Sequence, residues 1–320
     1  MLQVTVALPS GCCEKFSIPQ SSKVGDLRVL AQKSFQRGFL RLVAADHRAL
    51  DPAVSLQAAG LEDGDHLTAI AVEAKLAATD AAFALFCSGG DRVVTWGKQD
   101  YGGDNSQVKN QLKSVQQLQA TERAFAAILA DGSVVTWGNP DFGGDNSKVN
   151  DQLKGVQQLQ ATDQAFAAIL ADGSVVTPGK PCCGGDSSKV QNQLRGVQQV
   201  QATIYAFAAI LADGSVVTWG SPGYGGDSSQ VQDQLKGVQQ VQATLSAFAA
   251  ILADGSVVTW GEPDSGGDSS EVQDQLKGVQ QVQATSYAFA AILAGGSVVT
   301  WGSPCKGGDS SAVAAQFAYV

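Results

Sequence analysis

Residues Ala124–Gly138 read AFAAILADGSVVTWG, and near copies of this stretch recur down three quarters of the 320-residue chain. Its closing Trp-Gly pair stands at Trp96-Gly97, Trp137-Gly138, Trp219-Gly220, Trp260-Gly261 and Trp301-Gly302, with Pro178-Gly179 filling the gap, a spacing of 41 residues throughout. A fixed period of that size is the signature of a repeat architecture, in which each unit is one supersecondary element that buries its core only by stacking on its neighbours. All five tryptophans of the chain occupy this one slot.

Working outward, one whole unit runs from Gly196 to Lys236 and offers three strands: GVQQVQAT, AFAAILA and SVVTWG. The second and third are joined by Asp-Gly at Asp131-Gly132, Asp172-Gly173, Asp213-Gly214 and Asp254-Gly255, and by Gly295-Gly296 in the last copy. Asp-Gly between apolar runs predicts a two-residue type I′ hairpin, with positive φ at both turn positions. The middle strand is apolar on both faces, with Phe125, Ala127 and Leu129 on one and Ala126 and Ile128 on the other. Burial on both faces predicts sheet packed against sheet on either side, as blades pack in a propeller, with the many alanines allowing close approach. The following Gly-Gly-Asp-Ser/Asn segment reads as a turn and N-cap rather than a calcium or phosphate loop, and Val149 and Leu153 at i and i+4 suit one short helical turn.

The first 74 residues differ. Leu2, Val4, Val6 and Leu8 alternate up to Pro9-Ser10-Gly11, and Cys13–Ile18 alternates again, predicting a hairpin. Ser21 and Ser22 offer N-caps to a helix from about Lys23 to Phe35, with Val24, Leu27, Leu30, Ala31 and Ser34 on one face and Gly38 as its C-terminal stop. Strands at Leu40–Ala44 and Leu67–Val72 complete a ββαββ order. Through Arg41-Leu42-Val43 and the run Leu56–Ile70 with Gly64-Asp65-His66-Leu67, this region resembles ubiquitin-like domains. The resemblance implies a recognition patch on Leu8, Val43 and Ile70. It does not imply conjugation, because Val72 runs through Glu73-Ala74-Lys75 into the repeats without a diglycine terminus. The absence of a Gly/Ser/Pro linker reads as a fused module packed rigidly on the first repeat.

The WG-ended hairpin after a polar-apolar strand, in turn, resembles the repeat of the regulator-of-chromosome-condensation family over residues 75–320. The expected fold is therefore mainly β: a ubiquitin-like β-grasp domain over 1–74, then a β-propeller of six 41-residue, three-stranded units over 75–320. Six units leave a six-bladed ring, an open arc of a seven-bladed one and a truncated chain all in play. No strand exchange zipping the first unit to the last is visible, and the chain stops at Val320, where a further first strand would begin. The resemblance extends in part to the propeller of the HECT ubiquitin ligases that carry such repeats, but the chain has no room for a HECT domain.

Composition narrows the function. The net charge of −9 is concentrated in the repeats, with fourteen Lys/Arg against twenty-two Asp/Glu beyond residue 74, which disfavours direct nucleic-acid binding. No apolar run approaches the roughly 18 residues that span a bilayer, and the N-terminus lacks a basic, apolar leader, so a cytoplasmic or nuclear location without membrane contact is expected. Cys12, Cys13, Cys87, Cys182, Cys183 and Cys305 fall at unrelated repeat positions and read as reduced thiols. With histidine only at His47 and His66, neither a zinc site nor a nucleophile–base pair can be assembled in the repeats, and no Walker or dinucleotide motif occurs. No catalytic residue, metal or cofactor is expected, and Cys87 reads as a small buried hydrophobe.

Function is expected where the copies disagree. Following the strand directions, the loops after QAT and after WG share one edge. They carry Glu122-Arg123, Asp163-Gln164, Ile204-Tyr205, Leu245-Ser246 and Ser286-Tyr287 beside Asp100-Tyr101, Asp141-Phe142, Cys182-Cys183, Gly223-Tyr224, Asp264-Ser265 and Cys305-Lys306. Diversified loops on a constant framework are a common way to build an interaction surface. The candidate partner-binding residues are Tyr101, Phe142, Tyr205, Tyr224, Tyr287, Asp100, Asp141 and Asp264. The leading expectation is a non-catalytic protein–protein scaffold or adaptor linked to ubiquitin signalling. The alternatives are guanine nucleotide exchange on a Ran-like small GTPase, which the family resemblance implies, and inhibition of an enzyme through the loop face.

Overall fold

Alternation at the start of the chain builds a hairpin, as expected: β1 (Leu2–Ala7) pairs antiparallel with β2 (Cys13–Ile18), Leu2 opposite Ile18 and Ala7 opposite Cys13. The structure is a computed structural model and describes residues 1–87 and 92–319; Val320, the expected site of a further first strand, lies outside them. With β3 (Leu40–Val43) and β4 (His66–Ala71), the hairpin forms one sheet in the order β2-β1-β4-β3, β1 running parallel to β4. The helix α1 (Val24–Ser34) sets Val24, Leu27 and Ala31 into the core with Val4, Val6 and Leu42.

Both ends of α1 depart from expectation. Lys23, not Ser21 or Ser22, is the N-cap, and its backbone N–H donates to Asp26 Oδ2 at 2.9 Å. That places a carboxylate in the first turn, where the helix dipole favours it. At the other end the chain leaves the helix through Gln36 at φ 51°, not through Gly38, and the left-handed turn lets Arg37 N–H close on Gln32 O at 3.0 Å. The buried stripe is also narrower than expected, with Leu30 and Ser34 exposed.

The chain divides into two compact units, one of Met1–Lys75 and Phe86–Ser88 and the other of Leu76–Leu85 and Gly89–Val320. Within the repeats, the described residues form six three-stranded antiparallel sheets, each from consecutive strands with the middle strand central. The fourth is representative: Val197–Ala202, Ala206–Leu211 and Val216–Gly220. Ala202 faces Phe207, Phe207 faces Trp219 and Ile210 faces Val216, with a bulge between Val197 and Gln199. Because every sheet draws its strands from one repeat, no strand pairing joins the last repeat to the first among the described residues.

The hairpin between the second and third strands is not type I′. Only the glycine is at positive φ, 77° at Gly132, and its N–H bonds back to Leu129 O at 2.9 Å while Leu129 N–H reaches Ser133 O. This is a three-residue loop ending in a left-handed glycine. Asp131 stays out of the left-handed region because its Oδ1 accepts from both Ser133 N and Ser133 Oγ, at 2.9 and 2.6 Å, which also holds its carboxyl below the usual range.

The apolar middle strand is buried on both faces as its pattern requires: Ala206, Phe207, Ala208 and Ala209 are inaccessible. One face of a repeat meets the opposite face of the next. Ala165, Ala167, Ile169 and Val175 of repeat 3 pack on Val200, Phe207, Val217 and Trp219 of repeat 4. Phe207 and Trp219 stack at 5.2 Å, and Trp219 Nε1 donates to Gly184 O of the preceding repeat at 3.0 Å. The first strands of successive repeats lie side by side from repeat 2 to repeat 6. The expected helical turn after Gly-Gly-Asp is a turn or short 3₁₀ segment instead, Gln232–Gln234 in repeat 4, with Leu235 buried and Val231 partly so.

Repeat 3 lacks the indole. Pro178 sits in its place, Phe166 N–H still reaches Pro178 O at 2.8 Å, and the third strand shrinks to Val175–Val176. Proline is tolerated on an edge strand because the missing donor faces away from the ladder. Replacing Pro178 with Trp is expected to supply the stack on Phe166 and the bond to Gly143 O found in the other repeats, raising stability by about 2 kcal/mol. A urea titration of P178W checks this through its midpoint, and an unchanged or lower midpoint would mean that repeat 3 has closed over the missing ring.

Candidate partner-binding face

Within each repeat a threonine ties the two variable loops together. Oγ1 of Thr79, Thr121, Thr162, Thr203, Thr244 and Thr285 donates to the carbonyl of Tyr101, Phe142, Cys183, Tyr224, Ser265 and Lys306 at 2.9–3.1 Å. A backbone bond adds to the latch, such as Ser221 N–H to Tyr205 O at 2.9 Å. The shared edge inferred from strand direction is thus present in every repeat.

Successive repeats are joined along this edge. Asp80 N–H donates to Glu122 O, Glu122 to Asp163, Asp163 to Ile204, Ile204 to Leu245 and Leu245 to Ser286, at 2.8–3.0 Å. The side chains that follow QAT are therefore held in a file, each one repeat from the next, and what they carry changes along it. At one end the file is charged. Arg123 lies 4.9 Å from the Tyr101 ring centre and 4.8 Å from that of Phe142, and its Nε donates to Glu122 Oε1 at 3.1 Å. Lys98 Nζ adds a second cation 4.6 Å from the Tyr101 ring. Cation–ring contacts at such half-exposed sites contribute about 0.5–1 kcal/mol each. Asp163 is half-buried next to this group, and burial, followed by the charges of Glu122 and Asp80, pushes its carboxyl up.

Towards the other end the file becomes neutral and aromatic. Tyr205 meets Tyr224 edge to face at 4.9 Å, and burial, then the nearby Asp163 charge, pushes the Tyr205 phenol up. Tyr287 is 39% exposed in the last repeat. Of the sequence candidates, Tyr101 and Phe142 are brought together through Arg123, and Tyr205 and Tyr224 directly. Asp100, Asp141 and Asp264 stand exposed on short 3₁₀ turns after Trp-Gly, at Gln99–Tyr101, Pro140–Phe142 and Pro263–Ser265.

Cys182 and Cys183, on the loop after Pro178-Gly179 in repeat 3, have their sulfurs 3.5 Å apart. Burial, then the Cys182 hydrogen bond, pushes the Cys183 thiol up to about 11, so it is protonated near neutral pH and a poor nucleophile. Burial likewise raises Cys87, at the end of a strand. Among the described residues no cluster of His, Cys, Asp or Glu is arranged to hold a metal ion, and no helix is long and apolar enough to cross a membrane.

In the first module, Ile70 is 42% exposed, opposite Arg41 on β3, whereas Val43 is 9% exposed and Leu8 packs partly against the core. Ile70 is thus the most accessible of these three side chains.

No protein-family model matches the chain, and no curated protein matches it. Among solved structures it is similar to yeast RCC1 (Prp20) in its complex with Kap60, at 17% identity over 72% of this chain and 70% of that one, with a TM-score of 0.44. Human WBSCR16 is similar at 16% identity over 75% and 79%, TM-score 0.43. The ubiquitin of Caldiarchaeum subterraneum is 20% identical over 22% of this chain and 91% of its own, TM-score 0.21.

The residue missing from the sequence candidates is Arg123. It is the only Lys or Arg at the two positions after QAT or its equivalent in any repeat, a singularity visible on aligning the copies. Its partners come from two repeats, so its central placement is a property of the packing.

Proposed function

We propose that the repeats are a non-catalytic protein-binding scaffold whose recognition surface is the file of variable loops. The observation that carries this is the latch: a constant threonine and backbone network fixes in space side chains that differ from repeat to repeat. Rigid aromatic anchors next to a cation and carboxylates bind protein surfaces at low entropic cost. Charged at one end and neutral-aromatic at the other along the positions after QAT, the surface suits an extended partner with a basic segment facing Asp80, Glu122 and Asp163. We further read the first module as ubiquitin-like, a reading supported by its β2-β1-β4-β3 order with β1 parallel to β4.

The test substitutes Tyr101, Arg123, Tyr205 and Tyr287 together by Ser, leaving Phe142 and Tyr224 alone because both pack against buried residues. Affinity purification of the full chain is expected to lose its specific partners while the far-ultraviolet spectrum stays that of the parent. An unchanged partner set would remove the loop file as the binding surface.

A further inference from the structure

Repeat 3 departs from the other copies at a second place besides Pro178. In the loop after its Pro178-Gly179 it carries Cys182-Cys183, where no other repeat has more than one cysteine. The two sulfurs are 3.5 Å apart on a single 3₁₀ turn, Pro181–Cys183. That turn is tied down on several sides. Cys183 N–H donates to Lys180 O at 3.0 Å, Gly185 N–H donates to the same carbonyl at 2.9 Å, and Cys183 O accepts from Thr162 Oγ1 at 3.0 Å. Proline at the first position of the turn has its φ already set for it, which restricts the backbone further.

The two thiols stand differently. Cys183 is buried and its Sγ donates to Gln164 Oε1 at 3.6 Å, whereas Cys182 is exposed. One sulfur is therefore open to solvent, and the second is held beside it in a fixed direction. A disulfide needs its sulfurs about 2.05 Å apart, so forming one would draw them together by about 1.5 Å against the bonds of the turn. A single soft atom needs no such movement: at sulfur distances of about 2.3 Å, two sulfurs meeting at about 100–109° lie roughly 3.5–3.8 Å apart. Burial then decides which soft atom fits. Zinc takes four ligands and binds thiolates, but among the described residues no group of three His, Cys, Asp or Glu is placed to hold a metal ion, and burial disfavours a thiolate at Cys183. Trivalent arsenic brings its own third substituent and makes a neutral product with two thiols, so no charge has to be buried.

We propose that Cys182 and Cys183 form a two-point binding site for a trivalent arsenical. The exposed Cys182 captures the arsenical and the buried Cys183 closes the ring. At each step the thiol displaces one arsenic-bound hydroxyl: an arsenic–sulfur bond replaces an arsenic–oxygen bond, and the thiol proton leaves on the hydroxyl as water. Arsenic stays trivalent throughout, so no oxidant or reductant is consumed. The second step is intramolecular, and the sulfur separation of 3.5 Å already suits it. Two bonds to one atom therefore hold far more firmly than either alone, by a factor of roughly 100 or more.

Phenylarsine oxide added to the reduced full-length protein, followed by intact mass, tests this. The wild type is expected to take up one equivalent at this pair that survives excess glutathione, a monothiol, and is released by the dithiol dimercaptopropanol. Cys182→Ser is expected to weaken that retention by roughly 100-fold or more, since one bond is left where there were two. Cys183→Ser should do the same with the circular dichroism of the parent; Cys182→Ser, at the exposed position, decides the matter if the buried substitution disturbs folding. The double variant Cys12→Ser, Cys13→Ser removes the other adjacent pair, which enters an extended strand where neighbouring side chains point to opposite faces. It is expected to retain the arsenical at Cys182-Cys183 as the wild type does. A wild type that loses the arsenical to glutathione, or a Cys182→Ser variant that keeps it, would overturn the proposal. So would retention that depends on Cys12 and Cys13, or zinc held by the pair as firmly as the arsenical.

Discussion

Truncating Phe207 to alanine is expected to lower stability by about 3–5 kcal/mol, the usual cost of removing a fully buried aromatic ring. The ring is inaccessible, stacks on Trp219 at 5.2 Å and belongs to the cluster that joins repeat 3 to repeat 4. Two things are lost together: the packing inside the fourth sheet and the surface that receives the third. In a linear array stability is the sum of repeat and nearest-neighbour contributions, so weakening one contact uncouples what lies on either side. Urea unfolding followed by tryptophan fluorescence and circular dichroism should therefore split into two steps. Phe83→Ala is the control. The same ring in repeat 1 is 42% exposed and has no preceding repeat to hold, so its loss should cost well under half as much. Equal costs at the two positions would mean that the ring acts only within its own sheet.

The repeat strands were legible because one pattern was printed several times, and a segment such as AFAAILA, apolar on both faces, has few ways to be buried other than between two sheets. The hairpin between strands was legible in place but not in kind. Asp-Gly favours a type I′ turn taken alone, yet the following serine offers its N–H and hydroxyl to the aspartate, and the loop takes three residues instead. Helix capping in the first module failed for a related reason: Asp26 reaching back to Lys23 outcompetes the two serines, and only the geometry of the entry decides between them. The shared edge of the variable loops followed from strand direction alone. The meeting of Arg123 with Tyr101 and Phe142 did not, because it depends on how far one repeat is rotated and shifted against the next.

Gly225→Ala is expected to cost about 3 kcal/mol or more, and a second glycine separates the two causes. Gly225 sits at φ 87°, where a side chain carries a backbone penalty of about 1–2 kcal/mol. A methyl group there would also stand 2.6 Å from Cδ2 of Phe248 in the next repeat. That ring cannot step aside, since it is fully buried and stacked on Trp260 at 5.2 Å, so the clash adds an overpacking cost of about 1–3 kcal/mol. Gly296 has nearly the same backbone, φ 81°, with nothing within 4 Å of an added methyl, so Gly296→Ala should show the conformational penalty alone. The difference between the two urea midpoints then measures how tightly the Gly-Gly loop of one repeat seats on the aromatic ring of the next. Adding Phe248→Leu to Gly225→Ala relieves the clash while losing the stack, so the double variant should be more stable than the two single costs combined. Additive costs, or equal losses at Gly225 and Gly296, would mean that the loop and ring do not meet closely and that the glycine is there only for its φ.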